Sequence, residues 1–230
     1  MDIYNKTTVT PQVIYDAYNT LVFSPDTRVF NKMIKRTEIY MKVKDLLGDI
    51  LEFGVFKGSG IALFLKLKEM YEPNSHMKVI GFDYFQKESL IDSLDGINKN
   101  SMTSILTRVD SSDLSLDSVT MRLSCYNPDN YMLIQGDAAA ECKKFCVEYP
   151  GSKIKILYMD LDTAEPTYTI LKALWSRVVK GGIVVFDEYA FHVWDETLGV
   201  DAFLKEIEGQ YESFNTFINA PTMYIKKLVI

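Results

Sequence analysis

From Ile50 onward the chain repeats one pattern, a short continuous run of Val, Ile, Leu and Phe followed by a segment of helical length. The apolar runs fall at 50–55, 77–83, 131–135, 154–160 and 182–187, and the intervening helices are expected at about 59–71, 138–149, 165–179 and 198–209. A strand that is apolar at every position is covered on both faces, and strands joined by helical crossovers run parallel. The pattern therefore predicts an α/β fold, a doubly wound parallel sheet with helices on both sides. The last two runs, SFNTFI and TMYIKKLVI, are separated only by Asn219-Ala220-Pro221. That gap is too short for a crossover, so these strands form an antiparallel hairpin and bring the expected sheet to seven strands.

Two regions depart from the repeat. Residues 11–46 carry apolar positions at helical spacing, interrupted at Ser24-Pro25-Asp26, and predict one or two helices ahead of the sheet. Residues 86–130 are rich in Ser, Asp and Asn and hold one expected helix, about 112–125, with Ser111 or Ser112 as its N-cap. A stretch of this length between two strands is expected to be a lid or substrate-binding loop. The expected organisation is a helical cap over 1–47 and a main domain over 48–230, with 86–130 inserted into it.

Composition narrows the partners. A net charge of −6 opposes binding to a phosphate backbone, which requires clustered Lys and Arg. The expected partner is a small molecule and not a nucleic acid. No 18-residue apolar run is present, so no membrane span is expected. The N-terminal MDIYNKTTVTPQ lacks the features of a signal peptide, and three cysteines make a poor disulfide framework; both predict a cytoplasmic protein.

Ligands of parallel α/β sheets bind beyond the carboxyl ends of the strands, and acidic or glycine-bearing motifs fall at those ends here. Glu52-Phe53-Gly54-Val55-Phe56-Lys57-Gly58 closes the first strand, and Gly58, Ser59 and Gly60 open the next helix, where free N–H groups are available. Asp83, followed by Tyr84, ends the second strand, where a carboxylate can accept from both hydroxyls of a ribose. Gly136-Asp137-Ala138 ends the third. Asp137 there either accepts from an adenine amine, caps the following helix, or does both. Asp160 ends the fourth. A nicotinamide-dependent oxidoreductase would want Gly-x-Gly-x-x-Gly, but Phe56 stands where the middle glycine belongs. The cofactor this set predicts is S-adenosylmethionine, bound by Glu52, Gly54, Val55, Gly58, Ser59, Asp83, Tyr84, Gly136, Asp137, Ala138 and Asp160. The parallel sheet with its closing hairpin is the Rossmann-like layout of class I methyltransferases.

The stretch Tyr158-Met-Asp160-Leu-Asp162-Thr-Ala-Glu165-Pro166-Thr167, then Lys180-Gly181-Gly182 and Phe186-Asp187-Glu188-Tyr189, resembles the macrocin O-methyltransferase family. The similarity takes in Gly48 to Gly58, Gly81-Phe-Asp83-Tyr-Phe and Gly199 to Lys205, so it spans roughly residues 28–230. Members methylate sugar hydroxyls on natural products. The resemblance implies Mg²⁺ on Asp160, Asp187 and Glu188, with Glu188 replacing the family's second Asp. Hard oxygen ligands suit that ion, and clustered carboxylates need a cation to relieve their repulsion. The candidate bases for a hydroxyl acceptor are Asp160 and His192. The expected activity is metal-assisted O-methylation of a sugar hydroxyl, with N-methylation of an amino sugar as the alternative. The early helices are candidates for a homodimer contact.

Overall fold

The computed structural model describes residues 10–230, so the first nine residues of the expected cap lie outside it. Two helices precede the sheet, α1 (Pro11–Phe23) and α2 (Arg28–Val43), on either side of the Ser24-Pro25-Asp26 break. The α1 helix buries none of its side chains, whereas α2 buries Arg36, Ile39, Tyr40 and Val43 against the domain.

Strands and helices then alternate as β1 (Asp49–Phe53), α3 (Ser59–Tyr71), β2 (Val79–Asp83), the insertion, β3 (Tyr131–Gln135), α8 (Ala138–Glu148), β4 (Ile154–Met159), α9 (Ala164–Leu174), β5 (Val178–Phe186), α10 (Glu196–Glu206), β6 (Tyr211–Asn215) and β7 (Met223–Lys227). The insertion contains α4 (Lys87–Asp92), α5 (Gly96–Leu106), α6 (Ser111–Leu114) and α7 (Leu116–Leu123). The sheet order is β3-β2-β1-β4-β5-β7-β6; β1 to β5 are parallel, and β7 runs antiparallel to both β5 and β6. This is the expected class I methyltransferase sheet. Strands buried on both faces explain the continuous apolar runs: α8, α9 and α10 pack on one side with Phe145, Leu171 and Phe203, and α2, α3 and α7 on the other with Ile39, Phe64 and Val119.

Two expectations are corrected. The helix predicted over 165–179 ends at Leu174, and a tight turn at Trp175–Arg177 starts β5 at Val178, earlier than the expected 182. Within 86–130 there are four helices where one was expected. These are short, and their apolar residues meet only in space: Leu94, Met102, Leu106 and Leu114 form a small separate core with Trp194 from the loop after β5. Such a cluster leaves little periodic signal in the sequence.

The chain passes from β1 to β2 on one side and later to β4 on the other, so the reversal of winding lies between β1 and β4. Gly54 stands at that point with φ +90°, a conformation that disfavours side chains. A Cβ added there would lie 1.9 Å from the Asp160 carbonyl oxygen, because the ends of β1 and β4 touch. Gly54→Ala is therefore expected to cost about 3 kcal/mol or more through strain and overpacking combined, read from urea unfolding.

Candidate active site

The carboxyl ends of β1, β2, β4 and β5 open into a cavity of about 870 Å³, roofed by the insertion and walled by α2. Glu52, Gly54, Val55, Ser59, Asp83, Tyr84, Asp137, Ala138, Asp160, Asp187 and Glu188 all line it. Gly58, Gly136 and His192 are not among the lining residues. Gly58 instead serves as the left-handed residue that precedes α3, at φ +87°, and Gly136 turns the chain between β3 and α8 at φ +142°.

At one end of the cavity, Asp83 holds the loop that leaves β1. Its Oδ2 accepts from the backbone N–H groups of Val55 at 2.8 Å and Phe56 at 2.9 Å, while Oδ1 accepts from Phe85 N–H at 2.9 Å. Burial raises the Asp83 pKa, and these backbone donors pull against it. Asp137 caps α8 by accepting from Ala140 N–H at 2.8 Å, and its other oxygen accepts from the Tyr84 hydroxyl at 2.8 Å. Capping and the link to the Tyr84 strand end thus hold together in one side chain.

Beneath the β1 turn lies a buried ion pair. Arg36 from α2 approaches Glu52 of β1 at 2.7 Å, the two residues being 4% and 1% exposed. The guanidinium also sits 3.8 Å from the centre of the Tyr158 ring, so it is held from a second side. Gly60 makes room for the pair, since a Cβ there would come within 2.2 Å of both Arg36 Nη1 and Glu52 Oε1. Burial raises the Glu52 pKa and Arg36 opposes that shift. Glu52 Oε2, also buried, has no hydrogen-bond partner.

The opposite end gathers the carboxylates of β4, β5 and the loops that follow. Lys32, one turn before Arg36 on α2, donates to Asp160 Oδ2 at 3.1 Å and to Asp187 Oδ2 at 2.8 Å. Asp187 Oδ1 accepts from the buried Tyr158 hydroxyl at 2.5 Å. Burial and the neighbouring Asp187 push the Asp160 carboxyl up to about 7 against the pull of Lys32 and Arg36. Burial works to neutralise Lys32, but Asp160 and Asp187 outweigh it and hold the ammonium charged. Beside them Asp162, in a left-handed conformation at φ +62°, donates its backbone N–H to Glu196 Oε2 at 3.2 Å. Burial first, then mutual repulsion, raises the pKa values of Asp162, Glu188 and Glu196.

Residues 51–189 match the family model described as a methyltransferase domain. The chain belongs to that methyltransferase family. It is an enzyme of the S-adenosylmethionine-dependent class. Among solved structures it is similar to CalS11, described as a TDP-rhamnose 3′-O-methyltransferase of calicheamicin biosynthesis, with 21% identity over 99% of each chain and a TM-score of 0.61. The O-methyltransferase NovP aligns at 19% identity over 86% of this chain and 80% of its own, with a TM-score of 0.67. The O-methyltransferase from Bacillus cereus, in complex with SAH, aligns at 10% identity over 99% and 95%, with a TM-score of 0.55. At these identities the likeness is one of fold. No curated protein sequence matches this chain.

In this methyltransferase the expected metal set does not fit a divalent ion as its side chains stand. Lys32 stands between Asp160 Oδ2 and Asp187 Oδ2, and Tyr158 holds the other Asp187 oxygen, so an ion there would have to displace the ammonium; of the expected set, Glu188 Oε2 is buried without a partner. Among the described residues no group of three or more His, Cys, Asp or Glu side chains is arranged to hold a metal ion. The need for a cation was readable in the sequence; that α2 supplies one was not. His192 is exposed, stacks beside Phe191 at 5.4 Å, and stays outside the cavity lining. Tyr189 packs against the core and donates to Asp201 at 2.8 Å, and Trp194 is buried under the insertion.

Sequence reasoning missed Lys32, Arg36 and Glu196. The available signal was the four-residue spacing of Lys32, Arg36 and Tyr40, which puts all three on one face of α2. Replacing Arg36 by Met leaves Glu52 buried and uncompensated. The expected loss is about 3–5 kcal/mol of stability in urea unfolding, with much of it recovered in the Arg36→Met/Glu52→Gln double variant.

Proposed function

We propose that this methyltransferase transfers a methyl group from S-adenosylmethionine to a hydroxyl of a sugar-containing small molecule. The observation that carries the reading is Asp160, a cavity-facing carboxyl at the end of β4 whose pKa lies at about 7, where a base for a hydroxyl is most useful. Support comes from the printed descriptions of CalS11 and NovP as O-methyltransferases, and of CalS11 as acting on TDP-rhamnose.

In this reading the cavity fits S-adenosylmethionine end to end. Glu52 Oε2, buried and unpartnered, is the acceptor for the methionine ammonium. The Gly54–Ser59 turn lets backbone come close to the ligand, and the carboxylate of Asp83 has lone pairs left for the ribose hydroxyls. Tyr84, Asp137 and Ala138 surround the adenine. When bound, S-adenosylmethionine would supply an electrophilic methyl group to the acceptor oxygen. The acceptor's proton passes to Asp160. No step is derived through a divalent ion. The helices α4, α5 and α6 roof the cavity through Leu90, Met102 and Leu114.

The reading is tested by screening nucleotide sugars, amino sugars among them, with labelled S-adenosylmethionine. Methylation at oxygen supports it, while transfer solely to an amine would replace it with the N-methyl alternative. Asp160→Asn is expected to lower kcat by about 10²- to 10⁴-fold while S-adenosylhomocysteine still binds in calorimetry. Because the base acts deprotonated and titrates at about 7, kcat/KM should climb between pH 6 and 8 and level off above. A flat profile across that window would exclude Asp160 as the base.

A further inference from the structure

The carboxyl ends of β4 and β5 carry Asp160 and Asp187, and the side chain standing between them comes from neither strand. It is Lys32, delivered by α2, with Nζ at 3.1 Å from Asp160 Oδ2 and 2.8 Å from Asp187 Oδ2. An ammonium has three N–H donors, and these bonds use two. The Lys32 side chain is 34% exposed and lines the cavity, so its remaining N–H is within reach of a molecule bound there.

The arrangement is anchored. Arg36 lies one turn further along α2 and is locked into the buried pair with Glu52, so the helix cannot slide without breaking that contact. Asp187 is fixed from its far side by the Tyr158 hydroxyl. A divalent ion seated between Asp160 and Asp187 would meet the Lys32 ammonium at contact distance and be repelled by it, so it would enter only as Lys32 leaves.

We propose that Lys32 is the cation of the transfer site. It holds Asp160 and Asp187 together in the place a divalent ion would otherwise take, and turns its third N–H toward the acceptor oxygen. The ammonium and a divalent ion are then alternative occupants of one position, and wild-type methyl transfer proceeds without added metal. This rests on the reading of Asp160 as the residue at the transfer centre.

The experiment is a Mn²⁺ titration followed by electron paramagnetic resonance on the full chain, comparing wild type with Lys32→Met and Lys32→Arg. Calorimetry with S-adenosylhomocysteine runs beside it. Lys32→Met, which keeps the length of the side chain and removes its charge, should bind Mn²⁺ about ten-fold or more tightly than wild type, because a resident competitor lowers apparent affinity by the fraction of time the site is free. Lys32→Arg should resemble wild type, and wild-type turnover should survive EDTA. Equal Mn²⁺ affinity in wild type and Lys32→Met would overturn the proposal. So would wild-type activity that EDTA abolishes and Mg²⁺ restores, an arm that needs no variant to fold. Loss of S-adenosylhomocysteine binding in the wild type is a different failure, and would strike the assignment of the cavity to the cofactor.

Discussion

Parallel strands deliver their carboxyl ends to one edge, and in this chain that edge carries Glu52, Asp83, Asp160 and Asp187. Carboxylates brought this close and out of water repel one another and lose solvation together. The α2 helix lays two cations into this cluster, Arg36 on Glu52 and Lys32 between Asp160 and Asp187, and these offset the repulsion among the strand ends. That placement also explains why a buried ion pair persists where an apolar pair would pack as well: Arg36 fixes the helix so that Lys32 arrives in place.

The same electrostatics makes the two ends of the cavity differ. At the β1–β2 end, backbone N–H groups satisfy Asp83 and keep its loop closed. At the β4–β5 end, burial first and then repulsion among neighbouring carboxylates raise the pKa values of Asp160, Asp162, Glu188 and Glu196. A carboxyl that titrates near neutrality can exchange a proton with a hydroxyl, whereas one held fully ionised is a poorer partner. The strained backbone of Asp162, at φ +62°, lies in this same overcharged corner, where its N–H meets Glu196.

The insertion adds enclosure. Its helices α4, α5 and α6 meet in a small separate core with Trp194, while α7 packs on the sheet through Val119 and Leu123. Lys57, in the loop after β1, pairs with Asp113 of α6 at 2.6 Å and so joins this roof to that loop.

Period and spacing made the sheet legible. Apolar runs alternating with helical segments pointed to parallel strands covered on both faces, and the short final link to an antiparallel pair, although β6 ends at Asn215 and that link runs over 216–222; the acidic strand ends Asp83, Asp137, Asp160 and Asp187 were read with them. The helices at 87–114 were not legible, because α4 and α6 are too short to show a period, the eleven residues of α5 are mostly polar, and their apolar residues find partners only across the fold. Nor could sequence locate the cation. Lys32 and Asp160 are 128 residues apart, and nothing local couples them. The need for positive charge among the carboxylates was a property of the sequence; which atom supplies it was decided when α2 packed against the strand ends, since only tertiary contact brings an ammonium to within hydrogen-bonding distance of both.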